Sequence, residues 1–166
     1  MRGVRPVVVH IDVPQPREEV YDFLDVLAAH EEFTDHMLRE WECSGPARGV
    51  GSAARVTAVA AGRRDRIRIE VVAAERPSRI VERNTGAGGR RVAHGTYVLR
   101  ELPGGGTRVL FEYAWQSAPL SERLAAPVVR TLLRRANRRA LRRLADVLPT
   151  AMGSPRARRP RSRRGA

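Results

Sequence analysis

APLSERLAAPVVRTLLRRANRRALRRLADVL, residues 118–148, is the stretch whose reading decides the fold. Apolar residues recur in it at Val129, Leu133, Ala136, Ala140, Leu144 and Val147, in steps of three and four that stack along one face of a 3.6-residue helix. The opposite face carries Arg134, Arg135, Arg138, Arg139 and Arg142, flanked by Arg130 and Arg143. A helix divided in this way lays one side on an apolar layer and shows water a positively charged one. The spacing predicts one long helix from Ala118 to Leu148, and the preceding chain has to supply the layer it rests on.

The segments just before it alternate with period two. Arg91 to Glu101 places Ala93, Gly95, Tyr97 and Leu99 on one side and His94, Thr96, Val98 and Arg100 on the other. Thr107 to Trp115 does the same with Val109, Phe111, Tyr113 and Trp115 against Arg108, Leu110 and Glu112. Pro103-Gly-Gly-Gly106 between them supplies residues that tolerate positive φ, as a hairpin turn requires. Phe111, Tyr113 and Trp115 thereby share one sheet face.

Further upstream, Ala53 to Ala61 and Arg64 to Ala74 read as two strands joined at Ala61-Gly62, with Ile67, Ile69 and Val71 inward and Arg66, Arg68 and Glu70 outward. Arg79 to Asn84 adds a short strand, and Met37, Trp41 and Cys43 fit one side of another. At the start, Val7 to Val13 alternates cleanly. Pro16, Glu18 and Glu19 then suit a helix N-terminus, which predicts a helix over 16–24 and a second short one reaching Phe33.

At 166 residues and 42% hydrophobic, the chain can bury a core without disulfides or metal. Cys43 is the single cysteine, no apolar run is long enough to span a bilayer, and no signal-peptide pattern opens the chain, so a cytoplasmic protein is expected. The net charge of +13 is unevenly placed. Residues 1–118 hold 17 Arg against 16 acids, residues 119–148 hold 8 against 2, and residues 149–166 hold 6 against none. Residues 1–148 are expected to form one domain, and residues 149–166, rich in Arg, Pro and Gly, a disordered tail. Every basic residue is Arg, a bias that base composition alone can produce, so the charge is a weak pointer to RNA or an anionic membrane through Arg134, Arg138, Arg142 and the tail.

The order of these elements, together with Val9-His-Ile-Asp-Val-Pro14, Glu18-Glu-Val-Tyr-Asp-Phe23, Glu75-Arg-Pro-Ser-Arg79, Pro103-Gly-Gly-Gly-Thr-Arg-Val109 and Leu141-Arg-Arg-Leu144, resembles the polyketide cyclase/dehydrase-like group of the START/Bet v1 (SRPBCC) superfamily over about residues 6–148. The resemblance implies an α+β helix-grip fold, in which a curved antiparallel sheet wraps a long C-terminal helix and leaves an elongated apolar cavity. Its members include carriers, sensors and cyclases, so the fold alone fixes no activity.

The residues favour binding over catalysis. His10, His30, His36 and His94 show no metal-ligand spacing, the glycine runs join strands rather than leading into a helix, and Ser117 and Ser121 lack a nucleophile context, so no cofactor or metal is expected. No buried carboxylate or histidine stands out as acid or base. The expected ligand is a small hydrophobic or aromatic molecule, lipid- or polyketide-like, held by Tyr97, Phe111, Tyr113, Trp115, Val129, Leu133, Ala136 and Asn137. A cyclase or aromatase using the same cavity is the alternative.

Overall fold

A computed structural model describes residues 4–149. Seven strands form one antiparallel sheet in the order β1-β7-β6-β5-β4-β3-β2. They are β1 (Val7–Val13), β2 (Leu38–Ser44), β3 (Ala53–Ala60), β4 (Arg63–Glu75), β5 (Arg79–Gly86), β6 (Arg91–Glu101) and β7 (Thr107–Ser117). Between β1 and β2 lie α1 (Arg17–Leu24), a 3-10 turn over Leu27–His30 and α2 (Glu31–Thr34). After β7 come α3 (Leu120–Leu124) and α4 (Ala126–Val147). This is the expected helix-grip arrangement. The Arg-rich tail expected over 149–166 lies outside the described residues except for Pro149.

Local chemistry explains the joints. Ala61 (φ 49°) and Gly62 (φ 73°) both take left-handed backbone, which a two-residue turn between β3 and β4 needs to match the twist of its strands. Thr107 is fully buried, and its hydroxyl donates to the Gln15 carbonyl at 2.8 Å while Gln15 Nε2 donates to the Pro149 carbonyl at 3.0 Å, tying the end of α4 to the start of the β7 strand.

The core lies between the inner face of β1, β7, β6 and β5 and a cover of α1, α2 and the second half of α4. Val7, Val20, Phe33, Val109 and Leu144 are wholly buried in it. A smaller cluster of Leu27, Ala54, Val56 and Ile69, with Trp41 against it, fills the β2–β4 end.

The single long helix expected over 118–148 is instead two, broken at Ala125 (φ −90°, ψ 13°). Pro127 is the reason. Without an N–H, and with a ring that crowds the carbonyl four residues back, it cannot continue a helix through Arg123, but it fits the first turn of a new one. The buried stripe of α4 is Asn137, Ala140, Leu141 and Leu144, whereas Val129, Leu133, Ala136 and Val147 are only half-buried. Leu120, Leu124, Val128 and Leu132 are exposed, a second apolar line on the outside of α3 and the first turns of α4.

Candidate ligand-binding site

Strand register assembles the site. Residues directly opposite one another across an antiparallel pair point to the same face. Tyr113 faces Gly95, which faces Glu82, which faces Val71, so one inner row crosses β7, β6, β5 and β4. The adjoining rows are Trp115, Ala93, Asn84 and Ile69 on one side, and Phe111, Tyr97 and Ile80 on the other. Gly95 matters because it has no side chain. A Cβ there would lie 3.1 Å from the Phe111 ring and 3.3 Å from the Asn84 amide, so these two groups occupy the space over it.

The aromatic residues are graded in burial along this face. Tyr97 is buried and packs on Phe111 with ring centroids 4.7 Å apart, while Tyr113 and Trp115 meet edge-on at 4.9 Å. Phe111, Tyr113 and Trp115 are half-buried. On α4, Val129, Leu133 and Ala136 are also half-buried; Leu133 packs on the same core as Phe111 and Trp115, and the Ala136 carbonyl accepts from His36 Nε2 at 3.0 Å. All four expected sheet residues therefore share the inner face. Asn137 is on the helix but buried at 3% exposure, with its amide nitrogen unpaired.

A polar cluster lies beside this seam. Glu82 and His30 are 5% and 2% exposed, which corrects the expectation that the interior holds no buried carboxylate or histidine. His30 is placed by the turn before α2. Its Nε2–H donates to the Leu24 carbonyl at 2.8 Å, the Thr34 hydroxyl donates to the His30 carbonyl at 2.6 Å, and the imidazole lies on Phe33 and edge-on to Tyr97. With Nε2 protonated in this contact, Nδ1 of the neutral ring is an acceptor. Nδ1 is 3.3 Å from Glu82 Oε1, yet that oxygen has no aligned hydrogen-bond partner.

Burial sets the protonation here. It disfavours the charged forms, pushing Glu82 up to about 8 and His30 down to about 4. At neutral pH the two are therefore an uncharged acid beside an uncharged imidazole rather than an ion pair. Burial also raises the Tyr97 hydroxyl well above its usual range, and carries Tyr113 up to about 12 against the lowering influence of Arg91. The signal for Glu82 was in the sequence: alternation along β5 puts it on the face of Ile80. His30 had no such signal, because a 3-10 turn gives no periodicity.

At the mouth of the seam Arg91 joins β6 to α3. It bonds Glu122 through Nε at 2.9 Å and through Nη2, and Asp65 through Nη1 at 2.8 Å, with all three side chains mostly shielded. The Arg face of α4 is solvated as expected at Arg138 and Arg142, with Arg134 half-buried and Arg143 paired to Asp35. The cavity recorded among the described residues, about 170 Å³, is elsewhere: Arg55, Arg66, Arg68, Thr85 and the Gly86–Gly89 turn line it. Phe111, Tyr113 and Trp115 on β7 and Val129, Leu133 and Ala136 on α4 are all half-buried. Among the described residues no helix is long and apolar enough to cross a membrane.

A curved antiparallel sheet, a long terminal helix, an aromatic inner face and a few buried polar groups define a helix-grip protein. Residues 5–149 match the family described as polyketide cyclase / dehydrase and lipid transport, and the chain belongs to that family. Solved structures agree on the fold. TTHA0849 from Thermus thermophilus is 23% identical, with a TM-score of 0.67 over 86% of this chain and 95% of its own. Ms6760 from Mycobacterium smegmatis is 14% identical, with a TM-score of 0.65 over 91% and 94%. DynU16, from the dynemicin biosynthetic locus, is 22% identical with a TM-score of 0.61; the match covers 87% of this chain and 47% of DynU16. At such identities these likenesses establish the fold alone. No curated protein matches the chain.

Proposed function

We propose that residues 1–148 form a single domain that binds a small apolar or aromatic molecule between the β6–β7 aromatic face and the first half of α4. The observation that carries this reading is the half-burial of Phe111, Tyr113 and Trp115 on one side and of Val129, Leu133 and Ala136 on the other. The same inner face is sealed elsewhere, at Leu99, Val109 and Ile80, by packing of the ordinary kind. Six apolar or aromatic side chains left partly in water are a standing free-energy cost, at roughly 25 cal/mol per Å² of apolar surface, which a ligand of matching shape removes. Membership of a family described by lipid transport and polyketide chemistry supports the ligand class.

Native mass spectrometry of protein purified from its own host tests this. Wild type is expected to retain a hydrophobic compound that Tyr113→Ala and Leu133→Ala release. Variants that hold every recovered compound as well as wild type does would overturn the site.

One observation favours the cyclase reading as a second: Glu82 and His30 supply a buried acid and a buried acceptor on this very face. Turnover of a polyketide surrogate is its test, and a surrogate retained unchanged counts against it.

A further inference from the structure

The outer face of the sheet carries a group of arginines that the ligand-binding site does not use. Strand register sets Arg55 on β3 directly opposite Arg68 on β4, and Arg68 directly opposite Thr85 on β5. Arg66 stands two residues along β4 on the same face. Like charges directly opposite one another weaken a sheet. Glu42, directly opposite Arg55 on β2, is drawn to Arg66 at 3.2 Å instead, and Arg55 forms no ion pair among the described residues. An anion between the opposed guanidinium groups would turn their repulsion into a shared attraction.

These side chains bound a cavity. Arg55, Arg66, Arg68 and Thr85 line it together with Gly88 and Gly89, and it holds about 170 Å³. That is below the roughly 300–1,000 Å³ of pockets that enclose a whole organic ligand, so it suits one small group. Gly88 (φ 62°) and Gly89 (φ 88°) take left-handed backbone, and a Cβ built on either would meet nothing within 4 Å, so the glycine end is open. Donors remain at the walls. A guanidinium has five N–H groups. Arg66 gives one each to Glu42 and the Thr57 hydroxyl, at 3.2 and 3.4 Å, and Arg68 gives two to a single Glu70 oxygen, at 3.2 and 3.4 Å. With Glu40, which Arg64 and Arg66 share, and Arg83 opposite Glu70, five Arg here stand against three Glu. Asp65, at the same turn, is already taken by Arg91 and the Ala87 N–H.

We infer that this cavity is a site for a dianionic phosphate group, which Arg55 and Arg68 grip from adjacent strands while Arg66 and the Thr85 hydroxyl donate beside them. Arginine suits that role, because its planar fork meets phosphate oxygens in paired, charge-assisted hydrogen bonds. The competing contacts are weak: the ion pairs of Arg66 and Arg68 are exposed, and such pairs contribute little. Free phosphate and the terminal phosphate of a monoester share this chemistry, since the remainder of a monoester stays outside a cavity of this size. The site lies on the opposite face of the sheet from the apolar one and does not depend on it.

Titration of the full chain, followed by backbone amide shifts, tests it with inorganic phosphate, glycerol 3-phosphate and dimethyl phosphate at about pH 7.5, where the first two are mainly dianions. Inorganic phosphate is expected to saturate and to shift Thr85, Gly88 and Gly89, and dimethyl phosphate, a monoanion like the diesters of lipid and nucleic acid, to bind about tenfold more weakly. Glycerol 3-phosphate binding more tightly than inorganic phosphate marks a monoester as the occupant, and the reverse order marks free phosphate; both support the site. Arg55→Gln and Arg68→Gln should each weaken phosphate about tenfold, whereas Arg138→Gln, which removes the same charge from the exposed face of α4, should leave it unchanged. Without phosphate, Arg55→Gln should melt no lower than wild type, because it relieves the opposed charges. The neutral ketone 2-acetonaphthone should leave these amides unmoved. Shifts that never saturate, an equal loss of affinity in Arg138→Gln, dimethyl phosphate binding as tightly as inorganic phosphate, an Arg55→Gln chain that melts lower, or a ketone that moves the same amides overturns the phosphate site.

Discussion

Glu82 and His30 tax the fold in opposite directions as pH changes. The folded Glu82 titrates near 8 against a usual 4.5, so the stability tied to its protonated form is complete below about 4.5 and is lost as pH rises through 8. The folded His30 titrates near 4 against a usual 6.5, so its contribution is complete above about 6.5 and is lost as pH falls through 4. Between 4.5 and 6.5 the two slopes cancel. From pH 6.5 to 8 only Glu82 still changes, and wild type should lose about 2 kcal/mol of unfolding free energy over that window, at about 1.4 kcal/mol per pH unit. Glu82→Gln should remove the decline, and urea unfolding across this range checks it. Parallel curves for the two proteins would mean that Glu82 is not held neutral. Burial of this pair was legible only in part, because alternation along β5 assigns Glu82 a face but nothing in one sequence says that α2 and its preceding turn cover that face.

At the scale of elements, the terminal helices separate what packs from what is left open. Leu144 is wholly buried in α4 and Leu124 in α3 is 77% exposed. Leu144→Ala should cost about 2–5 kcal/mol through lost burial and a residual cavity, and Leu124→Ala less than about 0.5 kcal/mol, a contrast that thermal or urea unfolding reads directly. The Arg91 clasp makes a different prediction. Arg91→Ala leaves Glu122 and Asp65 partly shielded without their partner and should cost about 1–3 kcal/mol, with faster amide exchange concentrated in α3. Unchanged exchange there would show that α3 is held by something else. Most element boundaries were readable: β1 and β6 fall where alternation placed them, and the β3–β4 turn sits at Ala61-Gly62. The break at Ala125 was readable too, from Pro127, but the strength of the apolar period on either side of it obscured the interruption. The exposed line Leu120, Leu124, Val128 and Leu132 could not be read at all, since it repeats at the same helical spacing as the packed face and only the sheet decides which of the two is covered.

For the whole molecule, half-buried apolar and aromatic groups on β7 and α4 stand in one chain with a solvated arginine face at Arg138 and Arg142. The body's near-balance of charge and the +6 carried by residues 119–148 put the proposed site beside the most positive stretch among the described residues, of which Arg135, Arg138, Arg139 and Arg142 are exposed. The competing place for a small molecule is the shallow cavity of about 170 Å³ bounded by Arg55, Arg66 and Arg68 on the far side of the sheet. A heteronuclear NMR titration of the full chain with 2-acetonaphthone distinguishes the two in one experiment. Saturable shifts confined to the methyl groups of Val129, Leu133 and Ala136 and to the rings of Phe111, Tyr113 and Trp115 are the predicted result; shifts that never saturate, or that gather instead on Arg55, Arg68 and the Gly86–Gly89 turn, would contradict it.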